Sequence, residues 1–330
     1  MGVVSILFPV FNAADTLPAA LASVRAQTHA NWEMIALDDG STDDTPLLLT
    51  EAADHDPRIV YLRRPHRGLV SALNEALRHA NGPWLARFDA DDLMHPDRLR
   101  LQRAAAFDGV LGCGVHSFGA GEPREGFARY ESWLNGLLTH EQIVRDLFVE
   151  SPFAHPSVML PARWLRKMDG YRDVGWAEDY DLWLRLWRAG CRFAKLPQVL
   201  HEWRDEPTRL SRRGGIYNSR SFRWCKAAFL RETFLSGDGV VTLWGAGKVG
   251  RVWSRVLTAH GVRVARHIDS DAAHIGGFCR GRPVVGPEAA ALVDDGPILV
   301  CVGVHGAREA IRAQLDGLGK REWRDYLCVA

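Results

Sequence analysis

Residues 3–40, VVSILFPVFNAADTLPAALASVRAQTHANWEMIALDDG, decide how the chain folds. "VVSILFPV" is an unbroken apolar run of strand length, "TLPAALASVRAQ" carries apolar residues at helical spacing, and "WEMIALD" is apolar again and runs into Asp38 and Asp39. Strand, helix and strand in that order imply a crossover, so the two strands lie parallel and their carboxyl ends emerge on one edge of a sheet. The pattern then repeats. "TPLLLTEAAD", "GLVSALNEALRHA" and "PDRLRLQRAAAF" have helical spacing, and "RIVYL", "PWLARFD" and "GVLGCGV" have the composition of strands. This βαβα alternation, running to about residue 115, predicts an α/β domain: a mostly parallel sheet with helices on both faces, binding its ligands beyond the strands' carboxyl ends.

The whole chain has 330 residues, enough for two domains. Its 41 Lys and Arg balance 40 Asp and Glu, so no overall field draws in nucleic acid or an acidic membrane, and any such contact is local. The opening apolar run lacks the basic flank and cleavage pattern of a signal peptide and reads as a buried strand. No stretch approaches the uninterrupted apolar length of a membrane span. Six scattered cysteines, without a CxxC pair or zinc spacing, suit a reducing cytoplasm. The expected location is cytoplasmic, with peripheral contact at the inner face of the membrane as an extension.

"ARFDADD", residues 86–92, sets Asp89, Asp91 and Asp92 after another strand, on the edge already expected to carry Asp38 and Asp39. One acid is enough to cap a helix, and Asp43 and Asp44 read that way. Three crowded carboxylates repel one another unless a cation neutralises them. The loop lacks the glycine and the further oxygen ligands of an EF-hand, and a hard cation with few protein ligands keeps places for water and phosphate oxygens. No glycine-rich phosphate loop of the P-loop type occurs in this half, so a metal would neutralise much of a bound diphosphate. A third acidic site lies in "GWAEDYDLWLRLWRAG", residues 175–190, where Tyr180, Trp183, Leu184 and Trp187 share one helical face. That places Glu178 and Asp179 at the helix start, where a carboxylate either complements the dipole or serves as a general base. Asp181 reads as structural.

Four segments taken together, "SILFPVFNAADTLPAALASVRAQTHANWEMIALDDGSTDDT", "GLVSALNEALRHANGPWLARFDADDLMHPDRL", "HPSVMLPARWLRKMDGYRD" and "AEDYDLWLRL", resemble the family 2 glycosyltransferases, which have the GT-A nucleotide-sugar fold. The resemblance covers most of residues 3–212. It implies inverting transfer of a sugar from a nucleotide-diphosphate donor of the UDP, dTDP or GDP type to an acceptor hydroxyl, assisted by Mn or Mg. It implies further that Pro9, Phe11 and Asn12 lie under the nucleotide and that Asp38 and Asp39 hold the base and ribose, Asp39 being favoured for the base. "DAD" matches the DxD motif, with Asp91 as the direct metal ligand and Asp89 supporting the ribose or the metal. Asp179, paired with Glu178, matches the catalytic base. Arg67, Asn74 and Arg87 join the donor contacts, and Arg212 in "TRLSR" falls where such enzymes often steady the diphosphate. Arg87 is either structural or a donor contact, and His155 is either a packed loop histidine or a site residue. The QxxRW-like motif of processive polymerising members is missing. Single-sugar transfer in polysaccharide, glycan or glycoconjugate synthesis is therefore the expectation, with lipid-linked and polymeric hydroxyl acceptors both open.

The basic stretch "RLSRRGGIYNSRSFRWCKAAFLRE", residues 209–232, marks the end of this half. The expected division is a GT-A domain over 1–212, a basic helical linker over 213–238 and a Rossmann-like domain over 239–330. In the last of these, "LWGAGKVG" supplies Gly245, Gly247 and Gly250 between a strand and a helix, with Asp269 roughly twenty residues on, as in a fingerprint for NAD or another nucleotide. Three glycines can equally do no more than permit a tight strand–helix crossing. An alternative function follows: a non-catalytic nucleotide- or NAD-binding sensor or scaffold with a degenerate transferase domain.

Overall fold

Val4–Val10 form the first strand, β1, and every residue in it is buried because the strand lies inside an eight-stranded sheet. The computed structural model describes residues 2–119, 125–206, 215–237, 239–292, 296–304 and 306–330. They fold as two compact units, Met1–Ile143 with Pro152–Gly214, and Val144–Ser151 with Gly215–Ala330.

In the first unit β1 is followed by α1 (Leu17–Arg25), β2 (Trp32–Asp38), α2 (Thr45–His55), β3 (Ile59–Arg63), α3 (Leu69–His79) and β4 (Trp84–Arg87). Then come β5 (Leu93–Met94), α4 (Arg98–Ala104), β6 (Gly109–Phe118), α5 (Glu125–Gly136), α6 (His140–Asp146, whose residues from Val144 on belong to the second unit), β7 (Met159–Pro161), α7 (Ala162–Lys167), α8 (Glu178–Arg188) and β8 (Arg192–Arg204). The sheet order is β3-β2-β1-β4-β7-β6-β8-β5. β1 pairs in parallel with β2 and β4, β2 with β3, and β6 with β8, while β7 and β5 run antiparallel to their neighbours. The expected α/β architecture is the one observed. The strands not foreseen are β5, β7 and β8. β5 and β7 are very short, and β8 breaks the two-residue period with Lys195, Pro197 and Gln198 where the pairing register with β6 shifts.

The chain leaves β1 toward β2 on one side and later returns as β4 on the other, so the sheet has its topological switch point between β1 and β4. Pro9 opens that point. Val4 N and Val10 O bond toward the β2 side and Leu7 O accepts from Phe88 N, so Pro9 faces the β4 side. Pairing between β1 and β4 stops at Leu7 and Arg87, and the missing N–H of Pro9 therefore costs no ladder bond. Beyond it the two strand ends diverge into the candidate site.

The second unit contains α9 (Ser219–Glu232), β9 (Val240–Trp244), α10 (Lys248–Ala259), β10 (Arg263–Ile268), β11 (Phe278–Cys279), β12 (Arg282–Val285), β13 (Ile298–Val300), α11 (Ala307–Gly317) and β14 (Tyr326–Cys328). Its sheet, β11-β12-β10-β9-β13-β14, is parallel except for the β11–β12 hairpin, which gives the expected Rossmann-like arrangement around β9. The basic stretch expected as a linker contributes α9 to this unit. Asn218 caps the helix by accepting from Arg220 N and Ser221 N, and Lys226 is buried with its Nζ 2.6 Å from Val149 O. The charges of this stretch therefore do not all face water.

A Cβ on Gly250 would stand 1.9 Å from Gly245 O, and Gly245 itself has a φ of +127°. Both glycines are required by the crossing of β9 and α10 whether or not a ligand binds there. Gly250→Ala should destabilise this unit by roughly 1–3 kcal/mol, as overpacking against backbone does. Thermal melting followed by circular dichroism checks it, and an unchanged transition would contradict the crossing geometry.

Candidate active site

The carboxyl ends of β2, β1 and β4 bring together residues far apart in sequence. Val10 stands opposite Asp38, and Leu7 opposite Arg87. Asp38 is fully buried; its Oδ1 accepts from Ser41 N at 2.8 Å and its Oδ2 lies 3.2 Å from Arg63 Nε, so it shapes the turn after β2. Asp39 organises the segment before α3. Its Oδ1 accepts from Arg64 Nε, Arg64 Nη2 and Arg67 N, and its Oδ2 from Gly68 N at 2.7 Å. Asn12 ties β1 to the same turn, accepting from Thr42 N through its side chain. Phe11, 46% exposed, stacks on His66 with ring centroids 4.3 Å apart, and the Arg67 side chain is exposed beside them. Asp43, expected as a cap, accepts from Thr45 N and Ala14 N, whereas the Asp44 side chain makes no cap bond.

After β4 the chain turns through Asp89, Asp91 and Asp92, whose carboxylate oxygens lie within 4.8 Å of one another. Asp89 pairs with the buried Arg87. Asp92 is turned inward, accepting from His201 Nε2 at 2.9 Å and from Arg204 N at 2.8 Å, and Arg204 Nε donates to Asp91 O. Asp89 and Asp91 remain partly exposed. Hard oxygen donors, crowded and facing outward, fit Mn or Mg with room for phosphate oxygens.

Glu178 and Asp179 open α8, as the helical face predicted. Asp179 accepts from Tyr180 N at 2.7 Å. Burial first, and the neighbouring Glu178 second, push its carboxyl well above the usual carboxylate range. Glu178 is buried, with its Oε1 3.6 Å from His155 Nδ1, and His155 Nε2 meets the Tyr171 hydroxyl at 2.9 Å. Burial, then the charge of Arg87, hold His155 below its ordinary value, which favours the neutral ring. Burial opposes the charge of Arg87 too, but Asp89, Tyr171 and Glu178 together outweigh it. Arg87 thus lies electrostatically between the acidic turn and the start of α8. Its Nε is buried without a partner and remains an unused donor.

Two clamps hold the turn that carries Tyr171. The Asn74 amide accepts from Tyr171 N and donates to Tyr171 O, which assigns Asn74 to loop support. Arg185 donates to Met168 O, Gly170 O and Asp181, which accounts for Asp181 as structural. Gly170 has a φ of +72°, and a Cβ there would meet Asn74 Oδ1 at 2.2 Å. Arg64, His66, Tyr171, His201 and Arg204 were not singled out from sequence; only the glycine before Tyr171 hinted at a turn. Arg212 lies outside the described residues. In the second unit Asp269 accepts from Ala246 N, within the glycine loop, and from Asp271 N.

The first unit is thus an open, mostly parallel α/β sheet with an acidic turn at its switch point. The solved structure of S. aureus TarS residues 1–349 in complex with UDP has the same fold, with a TM-score of 0.53 at 19% identity over 78% of this chain and 71% of that one. Residues 5–165 match the family described as "Glycosyl transferase family 2". The putative glycosyltransferase EpsE of Bacillus subtilis is 31% identical over 65% of this chain and 77% of its own length. A shorter match, 39% identical over 30% of this chain and 39% of its partner, is to an Escherichia coli protein, the UDP-Glc:alpha-D-GlcNAc-diphosphoundecaprenol beta-1,3-glucosyltransferase WfgD. The chain belongs to glycosyl transferase family 2, and it is a glycosyltransferase.

The strained protonation of Asp179 has a consequence for stability. A carboxyl whose pKa is raised by folding stabilises the native state where it is protonated, and that contribution is lost as pH rises from the unfolded value through the folded one. Asp179→Asn keeps the bond from Tyr180 N without the charge. It should raise the melting temperature by about 2–4 °C, the shift that about 1 kcal/mol gives in a domain of this size. The gain should appear at pH 9 and vanish at pH 4 in differential scanning fluorimetry. An equal effect at both pH values would contradict the burial of the charge.

Proposed function

We propose that the protein transfers a single sugar, with inversion, from a nucleotide-diphosphate donor to an acceptor hydroxyl, with Asp179 as general base and Asp91 as the principal protein ligand of Mn or Mg. The observation that carries this reading is the buried Arg87, which pairs with Asp89 of the acidic turn and whose charge is also favoured by Tyr171 and by Glu178 of the α8 start. A cation that favours both acidic clusters supports reading them as one site, in which leaving-group and acceptor chemistry can be coordinated.

Each residue then has a task. Phe11 offers a flat face to the base, Asp39 and Arg67 border it, and Asp89 and Arg87 lie toward the sugar and diphosphate. Asp179 removes the acceptor proton as the oxygen attacks the anomeric carbon from the face opposite the diphosphate; its raised proton affinity makes it a competent base near neutral pH. Glu178 supports that affinity by repulsion. A bound Mn or Mg would supply charge neutralisation to the departing nucleoside diphosphate. Inversion in one displacement requires no nucleophile from the protein.

The UDP complex of TarS and the name of WfgD support a UDP-linked donor, with dTDP and GDP sugars as the other candidates. The name of WfgD also supports a lipid-linked acceptor. No helix among the described residues is long and apolar enough to cross a membrane. We place the donor and acceptor chemistry in the GT-A domain and assign the Rossmann-like domain no reaction of its own.

Release of nucleoside diphosphate from UDP, dTDP and GDP sugars, with and without Mn or Mg, tests the reading. Asp91→Ala and Asp179→Asn should each lower turnover by at least about 100-fold, the usual contribution of a positioned acid or base. Because the base must be ionised, wild-type turnover should fall with falling pH along a limb above the ordinary carboxylate range. Full activity of both variants without metal would refute the assignment. Thermal stabilisation by NAD, and by none of the diphosphates with Mn, would favour the sensor alternative.

A further inference from the structure

Asp92 lies beside the candidate metal ligand yet is only 1% exposed, and its contacts lead into the core. His201, fully buried on β8, presents Nε2 to Asp92 Oδ2 at 2.9 Å. The other ring nitrogen, Nδ1, lies 3.1 Å from Nη1 of Arg98, which is also fully buried at the start of α4. Arg98 also donates to Arg87 O at 3.0 Å, Gln102 Oε1 at 3.2 Å and Val158 O at 3.5 Å.

A guanidinium has donors and no acceptor. His201 Nδ1 must therefore accept from Arg98, and the ring carries its proton on Nε2, where it donates to Asp92. The buried cation selects the tautomer that the carboxylate needs. Arg98 and Asp92 become a charge pair separated by one neutral ring, whose lone pair faces the cation and whose N–H faces the anion. β8 adds two more ties: Met94 pairs with His201 in the short β5–β8 ladder, and Arg204 donates to both Asp92 and Asp91 O. The turn is gripped from the side of β8.

We propose that His201 is a positioning residue for the acidic turn: locked by Arg98 as the Nε2–H tautomer, it anchors Asp92 inward and so sets the direction in which Asp91 projects toward metal and diphosphate. This rests on the assignment of Asp91 as metal ligand. Groups behind a metal ligand typically govern 10–100-fold in affinity or activity, so the effect is measurable.

Two amide variants separate donation from acceptance. The nitrogen of His201→Gln can occupy the place of Nε2 and keep the bond to Asp92, whereas His201→Asn reaches only the place of Nδ1. The readout is calorimetric binding of whichever of UDP, dTDP or GDP the wild-type protein takes, titrated with and without Mn, together with kcat and KM for the sugar donor. His201→Asn should weaken Mn-dependent binding about tenfold or more while metal-free binding stays within about twofold, and His201→Gln should recover to within about threefold of wild type. Equal losses in both variants, or no loss in either, would overturn the proposal. Should His201→Asn fail to fold, Asp92→Asn replaces it, with the same expected loss of Mn dependence and the same overturning result if none is seen. Wild-type binding indifferent to Mn would sink the metal assignment itself, and that failure is visible before any variant is compared.

Discussion

Carboxylates crowded at the end of a strand repel one another, and the first unit is arranged around that repulsion. Asp89, Asp91 and Asp92 have oxygens within 4.8 Å of one another. Two buried guanidiniums stand behind them: Arg87 pairs directly with Asp89, and Arg98 acts on Asp92 through His201. Buried charges are tolerated when paired and hydrogen-bonded, and costly when one partner is removed. The turn is thus held by paired charges, with a buried acid, Asp92, distinguished from the partly exposed Asp89 and Asp91. Arg87 extends the constraint toward Glu178, Tyr171 and His155.

Asp179 shows the opposing side of the same economy of charge. Burial, then the neighbouring Glu178, raise its proton affinity more than the Tyr180 N–H and Arg87 lower it, and other contacts hold the turn before the helix in place. Arg185 and Asn74 clamp the turn before α8 from two different helices. If Asp179 is the base proposed above, that unfavourable electrostatics is what an active site preorganises for its transition state. The diverging ends of β1 and β4 add the space, made inexpensive by Pro9 facing a place without a ladder bond.

Much of this was legible in the chain. The strand–helix alternation of residues 3–115 announced a mostly parallel sheet, and acids at the ends of two strands announced a shared edge. Trp183 and Leu184 on one helical face located Glu178 and Asp179 at a helix start. Other features left no local mark. β7 and β5 are too short to show a period, β8 is interrupted by Pro197, and His201 looks like any strand histidine until Arg98 and Asp92 close on it. The three glycines of the second unit were ambiguous in sequence. The close approach of Gly250 to Gly245 O explains two of them by packing.

The sequence by itself determined periodicity, hence element type, and the placement of acids relative to strand ends, hence the edge on which chemistry would gather. It also carried the family likeness. Only the tertiary structure decided which of three adjacent aspartates turns inward, which nitrogen of His201 bears the proton, and that Asn74 supports a loop. Those outcomes depend on partners about 100 residues away in sequence, Asp92 with His201 and Asn74 with Tyr171. Local propensity cannot encode such pairings, because a charge or an amide acquires its role only from the group that packing sets against it.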